Sequence, residues 1–465
     1  MTTVKNKTDL TQGSVLKKML IFAIPIIFTN LLQQLYHTAD MAVVGNCADE
    51  PTIAMAAVGS TTAITALCLN LFLGLAVGAN VVCARLYGAK QETELRRAMH
   101  TSLLLAAVCG IGIGILGVIF AEHLLALTGT PVGVVREQGA LYMRIIFLGQ
   151  PGSLLYNFGA GILRSHGDTK RPMYILMTSG LVNVILNFIF VLAFNMESAG
   201  VALATVISYY LSAAAVLWIL FSPHGEFRLR LSELSLGKAV RPIAGVGIPS
   251  GLNSMVFSLS NVIIVAALNK LGKDVLAANS AAHNVDAILY QVLVAFYTAC
   301  ISFAGQNYGA KKYDRIDKLW KTATLMAISL FLVIGVISVF SAPWIMRLFT
   351  REDPVVLLGA ARIAILCGSY AIYVIPELSI GCMRGMGKSV LPSALNVVCI
   401  CVPRIIWVLL AYPALAIGGA DPTFETLLHD YKILLWCYPI SWAISGVAQF
   451  FCYRYYRKKL NREAV

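Results

Sequence analysis

Long apolar stretches separated by short polar segments recur along the whole chain. A helix needs about 20 largely apolar residues to cross the hydrocarbon core of a bilayer. Membrane barrels would instead show short segments of alternating hydrophobicity. We count twelve stretches of helical length, which begin near Met19, Ile53, Ala98, Ala140, Met173, Val201, Ala239, Val275, Ala323, Gly359, Leu391 and Ile433. The chain is therefore predicted to be an all-α integral membrane protein with about twelve transmembrane helices.

The charged residues are few and unevenly distributed. Only 13% of the residues are charged, whereas soluble domains carry about 25%. If both termini are cytoplasmic and the helices cross in alternation, 27 of the 36 lysines and arginines fall in cytoplasmic segments. This asymmetry obeys the positive-inside rule. It predicts a multi-pass plasma (inner) membrane protein with both termini cytoplasmic, and it explains the net charge of +13 without a nucleic-acid partner.

Four short motifs occur twice, in the same order, at offsets between 218 and 224 residues. They are Tyr-Gly-Ala-Lys at 87–90 and 308–311, Arg-x-x-Gly with a later Pro at 164–172 and 384–392, Ile-Pro at 24–25 and 248–249, and Arg-Ile at 144–145 and 362–363. Such order at near-constant spacing indicates a duplicated chain.

The repeat predicts two six-helix bundles, residues 1–222 and 239–465, joined by a cytoplasmic linker, residues 223–238. Each half has an even number of spans, so both halves enter the membrane from the same side. They should be related by a pseudo-two-fold axis along the membrane normal, with sites between or within them.

Three acids lie inside predicted spans: Asp40, Asp286 and Glu377. An ionised carboxylate at the centre of a membrane helix costs about 2.5–3.5 kcal/mol on the mildest scale, so each is a candidate functional residue. Asp40 ends a stripe at helical spacing that also contains Thr29, Asn30, Gln33, Tyr36 and His37. Because desolvation disfavours the ionised carboxyl, a proton could bind and leave there near neutral pH. The alternative is a structural hydrogen bond from Asp40 to His37 or to a neighbouring helix.

The repeat places Ile264 close to the position that matches Asp40, so this carboxylate is confined to the N-terminal half. Asn183 and Asn187 are four residues apart in the fifth span and could serve as neutral partners of Asp40. Ordinary hydrogen bonding between helices would explain the same pair. We predict an ion-coupling site made of Asp40, Asn183, Asn187, His37 and Tyr36.

A second polar group is predicted to line a substrate cavity, because carboxylates and aromatic faces both attract organic cations. Its members are Gln33, Asn253, His283, Asp286, Tyr290, Tyr373 and Glu377. Alternatively, Asp286 or Glu377 pairs with a buried arginine such as Arg362 or Arg404. Pro25 and Pro249 interrupt helical spans and are predicted hinges.

These residues together resemble the multidrug and toxic compound extrusion (MATE) family over about residues 15–455. The resemblance rests on the first span, the paired Tyr-Gly-Ala-Lys motifs and the segment at 384–389. It implies two bundles that alternate between outward- and inward-open states, exporting bulky, often cationic compounds against entering protons or sodium ions. It also implies that Asp40 is the family's first-helix aspartate, with Asn183 and Asn187 as partners.

The chain departs from the family pattern at two places. The position of Asn187 is often acidic in relatives, and the seventh helix lacks the acid that some members use. Both departures favour a site in the N-terminal half and favour protons over sodium.

A lipid-linked saccharide flippase of the same larger superfamily is the alternative function, and a channel or scaffold is a third. An enzyme is not expected, because no nucleophile, base and orienting group assemble in the sequence. We expect a monomer with drug-like or cationic substrates, the bilayer as its environment, no metal, and no cofactor besides the coupling H+ or Na+.

Overall fold

The computed structural model describes residues 9–47, 51–127, 130, 132–223, 227–417 and 423–463. The first eight residues, residues 224–226 of the predicted linker and the last two residues lie outside these ranges. The α-helices are α1 (Val15–Cys47), α2 (Pro51–Gly88), α3 (Glu92–Leu127), α4 (Val134–Leu148), α5 (Gln150–Ser165), α6 (Lys170–Phe188), α7 (Glu197–Phe221), α8 (Val240–Asn269), α9 (Lys273–Gly309), α10 (Tyr313–Arg347), α11 (Asp353–Gly385), α12 (Val390–Ile406), α13 (Tyr412–Leu415), α14 (Phe424–Leu435) and α15 (Cys437–Glu463). Every regular element in the described ranges is helical, as predicted.

Eleven helical segments in the described ranges are long and apolar enough to cross a membrane. The twelfth predicted span, near Ala140, is divided into α4 and α5 at Gly149. Pro151 explains the break, because it has no N–H to donate to the carbonyl of Phe147. The chain resumes its helical path with the Ser153 N–H donating to Gly149 O at 3.1 Å. The two pieces are each too short to span alone.

The repeated motifs form the same local structure twice. Lys90 and Lys311 both adopt left-handed backbone conformations, with φ of 57° and 56°. Gly167 and Gly387 do so as well, at 86° and 76°, and the N–H of each bonds to the carbonyl of the repeated arginine three residues before it. A residue in the left-handed conformation turns the chain so that N–H groups beyond the helix bond to its last carbonyls. The helix ends there. The duplication is therefore visible in the helix ends as well as in the sequence.

A five-residue π-helix also occurs twice. Ile189–Ala193 follows α6, and Trp407–Ala411 follows α12. Such π-turns are rare inside long helices and are often found at functional sites. Each begins less than one turn after a polar residue of its helix that is described below, Asn187 in α6 and Arg404 in α12.

The chain divides into two compact units. Unit 1 contains residues 1–12, 20–251 and 309–311, and unit 2 contains residues 13–19, 252–308 and 312–465. The core of unit 1 is built by Leu103, Phe147, Phe158, Val216 and Leu220, all nearly inaccessible. It joins α3, α4, α5 and α7, whose apolar faces are buried against one another.

In unit 2, α10 packs on α11, and α11 and α12 pack on α15. Phe303 and Phe331 are fully buried there. The opposite face of α10 carries an exposed apolar stripe at three- and four-residue spacing: Val333, Val336, Ile337, Phe340 and Trp344. Phe340 is 75% exposed. An apolar face of this length matches a lipid-facing helix.

Pro25 and Pro249 lie inside α1 and α8, which continue on both sides of them. Their predicted role as hinges stays a prediction. Arg384, the arginine of the second Arg-x-x-Gly motif, lies in the last turn of α11 and is only 5% exposed. Two nitrogen atoms of its buried guanidinium have acceptors, because it donates to Ser393 Oγ, at 3.1 Å, and to the Tyr297 hydroxyl.

Candidate functional site

Asp40 is at the centre of a hydrogen-bonded network inside unit 1. Its side chain is buried at 9% exposure. The Asn187 Nδ2 of α6 donates to Asp40 Oδ1 at 2.6 Å, and the Thr205 hydroxyl of α7 donates to Asp40 Oδ2 at 3.4 Å. Asn183 Nδ2 donates in turn to Thr205 Oγ1 at 3.3 Å. Each carboxylate oxygen therefore has one neutral donor, and no lysine or arginine in the described residues forms an ion pair with Asp40.

An apolar cluster closes one side of this network. Val43 and Val44, one turn beyond Asp40, pack with Val191 and Val201. Val191 belongs to the first π-helix. The cluster excludes water from that side, so the carboxylate is held where a change of its charge is costly.

The remaining residues of the predicted ion-coupling site lie elsewhere on α1. The Tyr36 hydroxyl donates to Leu176 O of α6 at 3.2 Å, and its ring covers Gly180 so closely that a Cβ there would overlap it. Tyr36 therefore joins α1 to α6. His37 and Gln33 are exposed. The polar stripe of α1 is thus buried at Asp40 and open at His37 and Gln33.

In unit 2, Asp286 forms an ion pair with Arg362, which was one of the two alternatives in the sequence. Arg362 NH2 lies 2.6 Å from Asp286 Oδ2, and both side chains are less than a tenth exposed. Arg362 NH1 also donates to Asn279 Oδ1 at 2.6 Å, and the Tyr370 hydroxyl donates to Asp286 O at 3.1 Å. His283 Nδ1 lies 3.5 Å from Asp286 Oδ2 while its own side chain is 66% exposed.

Glu377 does not pair with an arginine in the described residues. Its Oε1 accepts from the Tyr373 hydroxyl at 2.8 Å. Tyr290 stacks on Tyr373 with ring centroids 6.5 Å apart, and Trp442 stacks on the same ring at 4.9 Å. The structure thus brings three predicted cavity residues of α9 and α11 together and adds an aromatic wall from α15.

Asn253 is half-buried and lies in a separate network. Its Oδ1 accepts from Asn396 Nδ2 at 3.1 Å, and Ser445 donates to Asn396 Oδ1 at 3.0 Å. These bonds join α8, α12 and α15, which is the usual role of amide side chains between membrane helices.

Thr205 and Trp442 are the site residues that the sequence did not indicate. Thr205 lies at helical spacing with Ser208 and Ser212 in α7, and Trp442 lies in an aromatic-rich segment. Serine and threonine at this spacing are common at contacts between membrane helices and include no acid, so packing was needed to place Thr205 beside Asp40 and Trp442 beside Tyr373.

Comparison with known proteins gives one family across most of the chain. A family model described as MatE matches residues 25–189 and 249–422, one match in each repeat. The probable multidrug resistance protein YoeA of Bacillus subtilis (strain 168) is 27% identical over 466 residues, covering 96% of this chain and 95% of its own length. The probable multidrug resistance protein YpnP of the same organism is 28% identical over 453 residues, covering 97% of each.

Solved structures show the same fold. A crystal structure of MATE in the bent conformation superposes with a TM-score of 0.88 at 20% identity, covering 98% of this chain and 99% of that one. At this identity the likeness concerns the fold alone. It confirms the predicted all-α fold with its two helical bundles.

Proposed function

The chain belongs to the MatE family, the multidrug and toxic compound extrusion transporters, and from this premise we propose that it exports bulky, often cationic organic compounds in exchange for protons by alternating access. The family membership confirms the resemblance drawn from the motifs. The substrate class, the coupling ion and the alternating-access cycle are the parts that we infer.

The buried carboxylate of Asp40 is the observation that carries the proposal. Its partners are an amide and a hydroxyl, both neutral. A carboxylate without a fixed cation can take up a proton and so change the net charge of the site by one. The ionised carboxylate costs more to desolvate than the protonated carboxyl does. The two protonation states of Asp40 therefore favour different conformations of the protein.

The composition of the network supports a proton as the coupling ion. Asp40 is its single acid, and the position next to it on α6 holds Asn187, whose amide donates to the carboxylate. A proton needs one carboxylate oxygen, whereas a sodium ion at the carboxylate would need the Asn187 amide to direct its oxygen towards it in place of the Nδ2 that donates to Asp40.

The proposal is tested by uptake of a fluorescent cationic dye into inside-out vesicles that contain the full-length chain. One set of vesicles receives a pH gradient and a second set receives a sodium gradient. We expect the wild type to accumulate dye under the pH gradient alone. Asp40→Asn keeps the shape and hydrogen-bonding capacity of the side chain but cannot be ionised, so its accumulation should fall to that of vesicles without the protein.

Glu122→Gln is the matched control, because Glu122 is an acid of the same unit whose side chain is 60% exposed and paired with Arg144. It should transport like the wild type. Normal accumulation by Asp40→Asn would remove the assignment of Asp40, and accumulation under the sodium gradient alone would name sodium as the coupling ion.

A lipid-linked saccharide flippase is not favoured by the family match or by these relatives. Absence of dye accumulation under both gradients would contradict export of cations. Lipid-linked substrates would then be tested in the same vesicles.

A further inference from the structure

Arg404 is a buried cation in unit 2 whose protein partners are all neutral. It lies in α12 and is 1% exposed. Its Nε donates to Ser441 Oγ at 3.1 Å, and its NH1 donates to Asn261 Oδ1 at 2.9 Å and to Ser260 Oγ at 3.5 Å. Burying a guanidinium without an opposite charge is costly, so this position calls for an explanation.

Other buried arginines of unit 2 have their charge balanced. Arg362 is paired with Asp286, and Arg457 is paired with Asp317 at 2.6 Å. Arg384 lies in the last turn of α11, where the free carbonyls of the helix end favour a cation. Arg404 has neither form of compensation, because α12 continues directly into the second π-helix and no described carboxylate lies within 4 Å of it.

Three side chains that lie beside one aromatic ring each have a donor without an acceptor in the described part of the chain. Arg404 NH2, Trp442 Nε1 and Arg362 Nε are buried and have no hydrogen-bond acceptor among the described residues. The ring is that of Tyr438, which lies 4.6 Å from the Arg404 guanidinium, 5.7 Å from that of Arg362 and 6.0 Å from the Trp442 ring. Buried donors in native proteins are nearly always paired. Arg384 Nε and Arg457 NH1 also lack an acceptor within the described ranges, but the open donors beside Tyr438 accompany the uncompensated charge of Arg404.

By the internal repeat, the network around Arg404 in unit 2 corresponds to the network around Asp40 in unit 1, and the two carry opposite charges. By the offset of the repeated prolines, Pro172 and Pro392, Arg404 matches position 184, next to Asn183. In unit 1 this part of α6 supplies donors around a carboxylate. In unit 2 the matching part of α12 supplies a guanidinium surrounded by hydroxyl and amide acceptors, with Ile264 close to the position that matches Asp40.

We propose that unit 2 contains an anion site centred on Arg404 that binds the carboxylate of an aromatic acid. The carboxylate accepts from Arg404 NH2 and Trp442 Nε1, which are the donors left open there. An aromatic body is favoured because two rings lie beside the guanidinium, Tyr438 at 4.6 Å and Phe257 at 5.1 Å. The site uses residues of unit 2 alone and does not depend on ion-coupled export.

Binding of salicylate to the purified full-length chain in detergent, followed by isothermal titration calorimetry without any ion gradient, tests this site. We expect the wild type to bind with a Kd below about 1 mM. Trp442→Phe keeps an aromatic ring, although a smaller one, but removes one charge-assisted hydrogen bond, and should weaken binding about tenfold. Arg404→Gln should abolish it. Arg144→Gln removes a half-exposed arginine that is paired with Glu122 and should bind like the wild type.

Salicylamide has the same ring and size but no negative charge, and it should not bind. Equal binding of salicylamide and salicylate, no salicylate binding by the wild type, or wild-type affinity in Trp442→Phe would each overturn the proposal. Trp442→Phe decides the question if Arg404→Gln does not fold. Because no gradient is applied, these outcomes are independent of whether the chain exports cations.

Discussion

At the scale of single residues, the buried acids of this chain have two different environments. Asp286 is locked to Arg362, whereas Asp40 is held by neutral donors only. The first arrangement fixes a charge in place, because removing either partner strands the other in a dry interior. The second leaves the carboxylate able to change its protonation state. These two environments support the structural role that we propose for Asp286 and the transport role that we propose for Asp40.

The stability of the protein tests the structural role of Asp286. Asp286→Asn should destabilise the folded chain by about 3–5 kcal/mol, because it leaves Arg362 buried without its counter-ion. The double variant Asp286→Asn with Arg362→Met should recover most of this loss. Thermal unfolding in detergent is the measurement, with Asp353→Asn as the control. Asp353 is 74% exposed in its pair with Arg347, so its loss should cost less than about 1 kcal/mol. Equal losses for the two single variants would contradict this account.

Part of the candidate site followed from residue spacing. The polar stripe on α1 and the four-residue spacing of the two asparagines predicted that Asp40, Asn183 and Asn187 lie together, and the structure brings them together. Thr205 was not predicted, because its periodic neighbours Ser208 and Ser212 are also hydroxyl residues and such residues are common between membrane helices without any role at a site. The pairing of Asp286 with Arg362 required knowledge of which helices are neighbours, which the sequence of one chain does not contain.

At the scale of elements, α2 and α8 contact each other closely within unit 1 because glycines of both helices lie at the contact. A Cβ on Gly74 would lie 2.3 Å from the Gly251 backbone nitrogen, and backbone atoms cannot move away as a flexible side chain can. Alanine normally stabilises a helix relative to glycine by about 0.5–1 kcal/mol. Overpacking costs about 1–3 kcal/mol, so the clash should dominate.

Gly74→Ala is therefore expected to lower the thermal stability of the protein. Gly112→Ala is the matched control, since Gly112 also lies inside a helix and a Cβ added there would meet no atom within 4 Å. That variant should be neutral or slightly more stable. Melting temperatures of the two purified variants, measured side by side, give the comparison, and a stabilised Gly74→Ala would show that α2 and α8 are not in this contact.

The type of each element could be read from the sequence, but some details could not. Apolar stretches of helical length predicted the spans because lipid requires all backbone groups to be paired within the segment. The break between α4 and α5 occurs at Pro151, which has no N–H to donate. The sequence alone does not show whether such a proline divides its span into two helices. The π-helices after α6 and α12 have no compositional signature and emerged only from the backbone.

At the scale of the whole molecule, the proposed exchange makes a prediction about electrical charge. If Asp40 is the one carrier, one proton enters for each monovalent cation that leaves, and no net charge crosses the membrane. Moving one unit charge across a potential of 100 mV changes the free energy by about 2.3 kcal/mol. This corresponds to about a 50-fold change in the ratio of substrate concentrations across the membrane. An electroneutral exchange should be almost insensitive to that potential.

The measurement is steady-state accumulation of a monovalent cationic dye in the inside-out vesicles at a fixed pH gradient. A potassium gradient with valinomycin then sets the membrane potential to zero or to about 100 mV. We expect accumulation to change less than twofold between the two conditions, whereas a neutral substrate should respond by about 50-fold. A 50-fold response of the cationic dye would mean that a second proton enters in each cycle. Asp40 would then be one of two carriers, and Glu377, the half-buried acid beside the stacked rings of unit 2, would be the next to replace.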